Sequence, residues 1–205
     1  MDHIEGFSLS SVSADVSKPA ISAQEIGKRA GYLLGPAACL EAIAEHDLLH
    51  RDIKPENILV EGRQGILIDW NLAGKIDKDA PPRLIGTPDY MAPEILAQRE
   101  ATSAASEVYA LGATLYATLF CKPPRGIIPP DLSKKEVLQT LLSARIPDPS
   151  KVHPNLPRKL STLMMSSLST QPSFRPELGE FRADLEASVH AISAQSEAKA
   201  KRWCL

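Results

Sequence analysis

Cysteine occurs three times in 205 residues, at Cys39, Cys121 and Cys204, far apart and without metal-site spacing. That excludes a disulfide framework and a cysteine-held metal. The thiols read as those of a reducing, intracellular (cytoplasmic) compartment. Cys204 is second from the end, the wrong place for a prenylation box. No apolar run is long enough to span a bilayer, and the first residues lack the apolar core of a signal peptide, so no membrane association is expected. Charge of one sign is also lacking. With 23 basic and 25 acidic side chains the net charge is −2, which gives no electrostatic case for nucleic acid. The length suffices for one domain with a sizeable core.

What is present concentrates at His50-Arg51-Asp52-Ile53-Lys54-Pro55-Glu56-Asn57-Ile58-Leu59-Val60. Asp52 can accept a proton, and Lys54 can hold a negative oxygen nearby. Asn57 offers a neutral oxygen of the kind a hard cation such as Mg²⁺ accepts. Pro55 stiffens the turn between them. Ile58-Leu59-Val60 reads as a short buried strand that fixes the turn to a core. Gly65-Ile66-Leu67-Ile68 repeats the pattern and ends in Asp69-Trp70-Asn71. If the two strands pair, a second acid leaves the sheet beside the first. Two acids, an amide and a lysine around a strand pair point to a phosphate-and-metal site.

These residues carry a resemblance. His50 to Asn57 resembles the catalytic loop of eukaryotic-type (Hanks-type) protein kinases, and a lysine two residues after the aspartate is the serine/threonine form. The resemblance implies that ATP and Mg²⁺ are the cofactors and that a protein Ser/Thr hydroxyl is the acceptor. Asp52 would orient and deprotonate that hydroxyl, and Lys54 would stabilise the transferring phosphoryl group. Asn57 and Asp69 would hold Mg²⁺. Leu59 would form the floor under adenine, with Glu56 in the same nucleotide-binding set. Residues 1–10 resemble the hinge between lobes, placing Met1 at the gatekeeper position and the backbone of Asp2 and Ile4 against the adenine edge. Asp69-Trp70-Asn71 stands where the family has Asp-Phe-Gly. Trp70 is expected to pack on the core, and Asn71 to tolerate the left-handed backbone that glycine would adopt there.

Gly86-Thr87-Pro88-Asp89-Tyr90-Met91-Ala92-Pro93-Glu94 resembles the end of a protein-kinase activation segment. It separates this reading from small-molecule kinases of the aminoglycoside phosphotransferase type, which share the Asp-Trp pair. By the resemblance Thr87 would bond toward Asp52 and Lys54, and a buried Glu94 would pair with Arg175. Arg51 would face an activating phosphate, yet residues 72–85 contain no Ser, Thr or Tyr. Asp77 or Asp79 is the expected stand-in anion, and phosphorylation at the usual place is not expected. Glu107 replaces the family aspartate that anchors the catalytic loop. It is one methylene longer, and as a helix-start carboxylate it would also be satisfied near the helix dipole.

The remaining pattern is helical. Residues 22–46 read as one long helix kinked at Pro36, with Gly27, Gly31 and Gly35 on one face for close packing. Further helices are expected over 103–120, 133–143 (capped by Asp131 or Ser133), 156–168 and 176–192. A frayed extension follows. The fold class is therefore mainly α with a small two-stranded β element, a protein-kinase-like large (C-terminal) lobe with the N-terminal lobe absent. Its expected division is a hinge-like segment 1–10, the lobe 11–194 and a flexible tail 195–205. No Gly-rich loop, strand lysine or helix glutamate for clamping phosphates is found in these residues. Three outcomes are therefore expected: a truncated kinase or mis-started gene product with little turnover alone; a pseudokinase-like scaffold; or, third, a small-molecule kinase. The uncovered adenine-facing surface around Leu59 would invite a partner.

Overall fold

The computed structural model describes residues 6–13, 22–77, 81–129, 131–153 and 155–203. In chain order these form β1 (Phe7–Ser8), α1 (Leu9–Ser13), α2 (Ala23–Gly31), α3 (Leu34–Ala44), β2 (Leu48–Leu49), β3 (Ile58–Glu61), β4 (Gln64–Leu67) and β5 (Gly74–Lys75). The helices α4 (Pro93–Leu96), α5 (Ala104–Phe120), α6 (Lys134–Ser143), α7 (Pro149–Val152), α8 (Arg158–Ser167) and α9 (Leu178–Trp203) complete the described chain. Met1, Asp2 and Ile4 lie outside the described residues, as does Asp79.

The mainly helical expectation holds. The body is built around α5, which is buried on nearly every side, as a helix apolar all round must be. Ser103 and Ser106 form a reciprocal capping box at its start. Replacing Ser103 with Ala is expected to lower stability by about 1 kcal/mol in urea denaturation, because the Ser106 amide loses its acceptor. At α6 the cap is Ser133, in a box with Glu136, and not Asp131.

The long helix over residues 22–46 is instead two helices, broken at Tyr32 and Leu33. The cause is a close approach of backbones. A Cβ on Gly65 would collide with the Tyr32 carbonyl, and one on Gly35 with the Gly65 carbonyl, so the chain must turn where β4 passes. Pro36 causes no kink. It sits in the first turn of α3, where an amide would have no intrahelical acceptor anyway. The three glycines do not all share one face. Gly27 and Gly31 admit Ile192 and Val189 of α9, whereas Gly35 lies against β4.

The β element is larger than two strands. β1, β3 and β4 form an antiparallel sheet with Ile58 opposite Leu67 and Leu59 opposite Ile66, and β1 adds Phe7 opposite Val60. β2 and β5 form a separate antiparallel ribbon. Ile58 and Val60 point into the core, leaving Leu59 half-buried on the other face. The last helix runs without a break to Trp203, so no helix end marks the expected boundary at residue 194. Among the described residues no helix is long and apolar enough to cross a membrane.

Candidate active site

The loop from His50 to Asn57 is held by its backbone before any side chain acts. The buried carboxylate of Glu107 accepts the His50 amide at 2.8 Å and the Arg51 amide at 2.9 Å. The added methylene therefore still lets both oxygens reach the loop. Burial pushes the Glu107 pKa up to about 7, against the pull of those two amides and of the Arg51 charge. Arg51 takes a left-handed backbone, φ 71°, which turns the chain between His50 and Asp52. His50 is fully buried. Its Nδ1 accepts the Asp52 amide at 3.4 Å, so the proton sits on Nε2 and is donated to the Ile68 carbonyl at 3.0 Å. Burial lowers the His50 pKa, which keeps the ring neutral in that arrangement.

The polar centre is a closed set of bonds. Lys54 Nζ lies 2.8 Å from Asp52 Oδ2 and donates to Thr87 Oγ1 at 2.8 Å. Thr87 in turn donates to Asp52 Oδ1 at 2.8 Å. The Asn57 amide donates to Asp52 Oδ2 at 2.9 Å and to the Asp52 carbonyl at 2.8 Å. Burial disfavours the charge on Asp52. The bonds from Lys54 and Thr87, the Lys54 charge and Asn57 outweigh it and hold the pKa below the usual carboxylate value. A 3₁₀ turn over Pro55–Asn57 produces this meeting by turning Asn57 back onto Asp52.

Asp69 reaches the same end of the sheet. The Ile68 amide donates to the Asn57 carbonyl at 2.9 Å, so Asp69 directly follows the residue paired with Asn57. The left-handed residue here is Asp69, φ 61°, and not Asn71. Asn71 lies inside the following 3₁₀ turn, and its side-chain amide donates to Asp69 Oδ1 at 2.7 Å. The turn needs its special backbone before Trp70, so no glycine is required at Asn71. Trp70 is 40 % exposed rather than packed in the core, and its ring meets His50 edge-on at 4.8 Å. The donors fit a hard cation. Asn57 commits its amide nitrogen to Asp52, which leaves its oxygen for a ligand, and Asp69 presents an exposed carboxylate with one oxygen outside the Asn71 bonds.

Glu94 and Arg175 meet in a bidentate pair, both N–O distances 2.7 Å, with the Arg175 side chain fully buried. Arg175 also donates to the carbonyls of Ala105 and Ser169. Arg51 donates to the Lys75 carbonyl at 2.7 Å, and Gly74 leaves the room its guanidinium needs. Glu56 is exposed and lines a cleft of about 200 Å³ with Ser10, Tyr90, Cys121 and Lys122. Burial raises the pKa of nearby Asp89, and the Glu56 charge adds to it.

The structure thus brings Asp52, Lys54, Asn57 and Thr87 into direct contact and sets Asp69 beside them. Sequence reasoning gave no roles to His50, Tyr109 or Arg125. The first two are buried supports, and nothing in a proline-rich turn marks Arg125.

A family model described as protein kinase domain matches residues 3–184. The chain belongs to the Hanks-type serine/threonine protein kinase family. It is 30 % identical over 218 aligned residues to the serine/threonine-protein kinase PknD of Chlamydia pneumoniae, covering 92 % of this chain and 23 % of that protein. It is 31 % identical over 165 residues to the serine/threonine-protein kinase PknE of Mycobacterium tuberculosis, covering 78 % of this chain and 27 % of that one. The chain therefore spans about a quarter of the length of these relatives.

Proposed function

We propose that this chain carries the acceptor-side and metal-binding half of a serine/threonine kinase site, moving the γ-phosphoryl group of ATP to a Ser or Thr hydroxyl of a protein. The observation that carries this reading is the closed set of bonds among Asp52, Lys54, Thr87 and Asn57. An ionised Asp52 is ready to accept the acceptor hydroxyl's proton. Thr87 and Asn57 fix its two oxygens, so little reorganisation is needed when the hydroxyl arrives. Lys54 would shift from Asp52 toward a phosphoryl oxygen. Asn57 and Asp69 would hold Mg²⁺, which when bound neutralises charge on the transferring phosphates. Leu59 would lie under adenine, and Glu56, with Met1, Asp2 and Ile4, would complete the nucleotide side. The Gly86–Glu94 stretch, tied down at both ends, favours a peptide acceptor over a small molecule. The setting is intracellular, where ATP is supplied.

Among the described residues there is no Gly-rich loop to clamp phosphates, so this stretch by itself is expected to turn over little. That same observation favours a second reading, a non-catalytic docking scaffold whose Leu59 face is covered by a partner. Phosphate transfer to a degenerate Ser/Thr peptide library tests both. In the chain at native length, Asp52→Asn is expected to reduce transfer by about 10²–10⁴-fold. Activity unchanged by D52N sinks the catalytic assignment, and sustained Asp52-dependent transfer by these 205 residues alone sinks the low-turnover expectation.

A further inference from the structure

Two guanidinium groups meet one ring. Tyr109 on α5 is fully buried, with Arg175 Cζ 5.1 Å and Arg125 Cζ 5.0 Å from its centroid. Arg175 belongs to the buried pair with Glu94. Arg125 comes from the turn after α5, and nothing in the proposed chemistry uses it. Its Nη1 donates to the Met91 carbonyl at 3.0 Å. Met91 directly follows the 3₁₀ turn Pro88–Tyr90 and its amide closes that turn on the Pro88 carbonyl.

The segment from Thr87 to Glu94 is therefore pinned at three points. Thr87 is held by Asp52 and Lys54, Met91 by Arg125, and Glu94 by Arg175. The middle pin is itself pre-set. Pro123 and Pro124 restrict the approach, and Gly126, φ +87°, closes a turn by donating its amide to the Pro123 carbonyl at 3.0 Å. A guanidinium suits this place because its flat face stacks on a ring while its edge donates to a carbonyl. Lysine can donate there, but it has no face to stack.

We propose that Arg125 is a positioning residue for peptide docking: by tying the Met91 carbonyl to the Tyr109 ring it fixes the middle of the segment on which the acceptor peptide lies. The docking role rests on the kinase reading above; the clamp does not. Two residues beyond Arg125 the same loop exposes Ile127, 80 % accessible.

Two measurements separate the clamp from the kinase reading. The first is hydrogen exchange on wild type, Arg125→Ala and Arg125→Lys. R125A is expected to speed exchange of the Tyr90 and Met91 amides about tenfold, with α5 and α8 unchanged and R125K in between. Unchanged exchange at Tyr90 and Met91 overturns the clamp, and so does acceleration spread equally through α5 and α8. The second is steady-state transfer to a Ser/Thr peptide by the chain at native length. R125A is expected to raise the peptide KM about five- to tenfold, with kcat and the ATP KM within about twofold and partial rescue by R125K. A fall in kcat at constant peptide KM overturns the docking role. No transfer by wild type overturns the kinase reading, and the exchange result then decides the clamp alone.

Discussion

Replacing Arg175 with Ala is expected to cost about 3–5 kcal/mol of folding stability, because it strands the Glu94 carboxylate in the core. For a chain of this length that is a loss on the order of 10 °C in melting temperature. The size follows from what the guanidinium satisfies. It meets both oxygens of Glu94 and also serves the carbonyls of Ala105 and Ser169. Arg175→Lys keeps the charge but cannot serve two carboxylate oxygens and two carbonyls in one plane, so it should recover only part of the loss. Removing both charges with Glu94→Leu and Arg175→Met should cost less than R175A alone, since no uncompensated charge remains. Thermal and urea denaturation of the four chains check the series. A double variant as unstable as R175A would show that the arginine acts through its carbonyl bonds rather than through the ion pair.

Glu107 is expected to make stability depend on pH in the direction opposite to that of an ordinary paired carboxylate. Its folded pKa of about 7 lies above the ordinary value of 4.5. Between those values the folded chain holds a proton on this group that the unfolded chain has lost. The stability it contributes is therefore full below pH 4.5 and is lost as pH rises through 7. The total is on the order of 3 kcal/mol. The ionised form is also the one whose two oxygens both accept amides, so raising the pH tightens the anchor of the His50–Asn57 loop while it lowers global stability. Glu107→Gln removes the titration and sets an NH₂ against one of the two backbone amides, at a cost of about 1–3 kcal/mol. Urea denaturation between pH 5 and 8 checks this. Wild type should lose stability across that range relative to E107Q, and parallel curves would remove Glu107 as the source.

The site was legible because its chemistry is local in sequence. Asp52, Lys54 and Asn57 fall within six residues, and a 3₁₀ turn nucleated by Pro55 suffices to fold them onto each other. The apolar runs at Ile58-Leu59-Val60 and Gly65-Ile66-Leu67 announced the strand pair that places Asp69. The apolar length of α5 marked that helix on its own. The pairings of Thr87 and Glu94 were reachable only through the family resemblance, since 33 and 81 residues separate the partners.

The errors have a common physical form. Helix periodicity continues through residues 22–46, and only the passage of Gly65 against Tyr32 and Gly35 breaks it. The Asp-Trp-Asn stretch suggested a left-handed Asn71 and a buried Trp70. The turn instead places the unusual backbone at Asp69 and leaves Trp70 on the edge of His50. Sequence by itself determined the helical class, the strand pair and the polar cluster, because each rests on spacing within a few residues. Tertiary structure alone decided where the first long helix breaks, that a third strand joins the sheet, and that Arg125 and Arg175 share Tyr109. Those outcomes depend on backbones and rings brought together from distant parts of the chain, and no local pattern encodes such an approach.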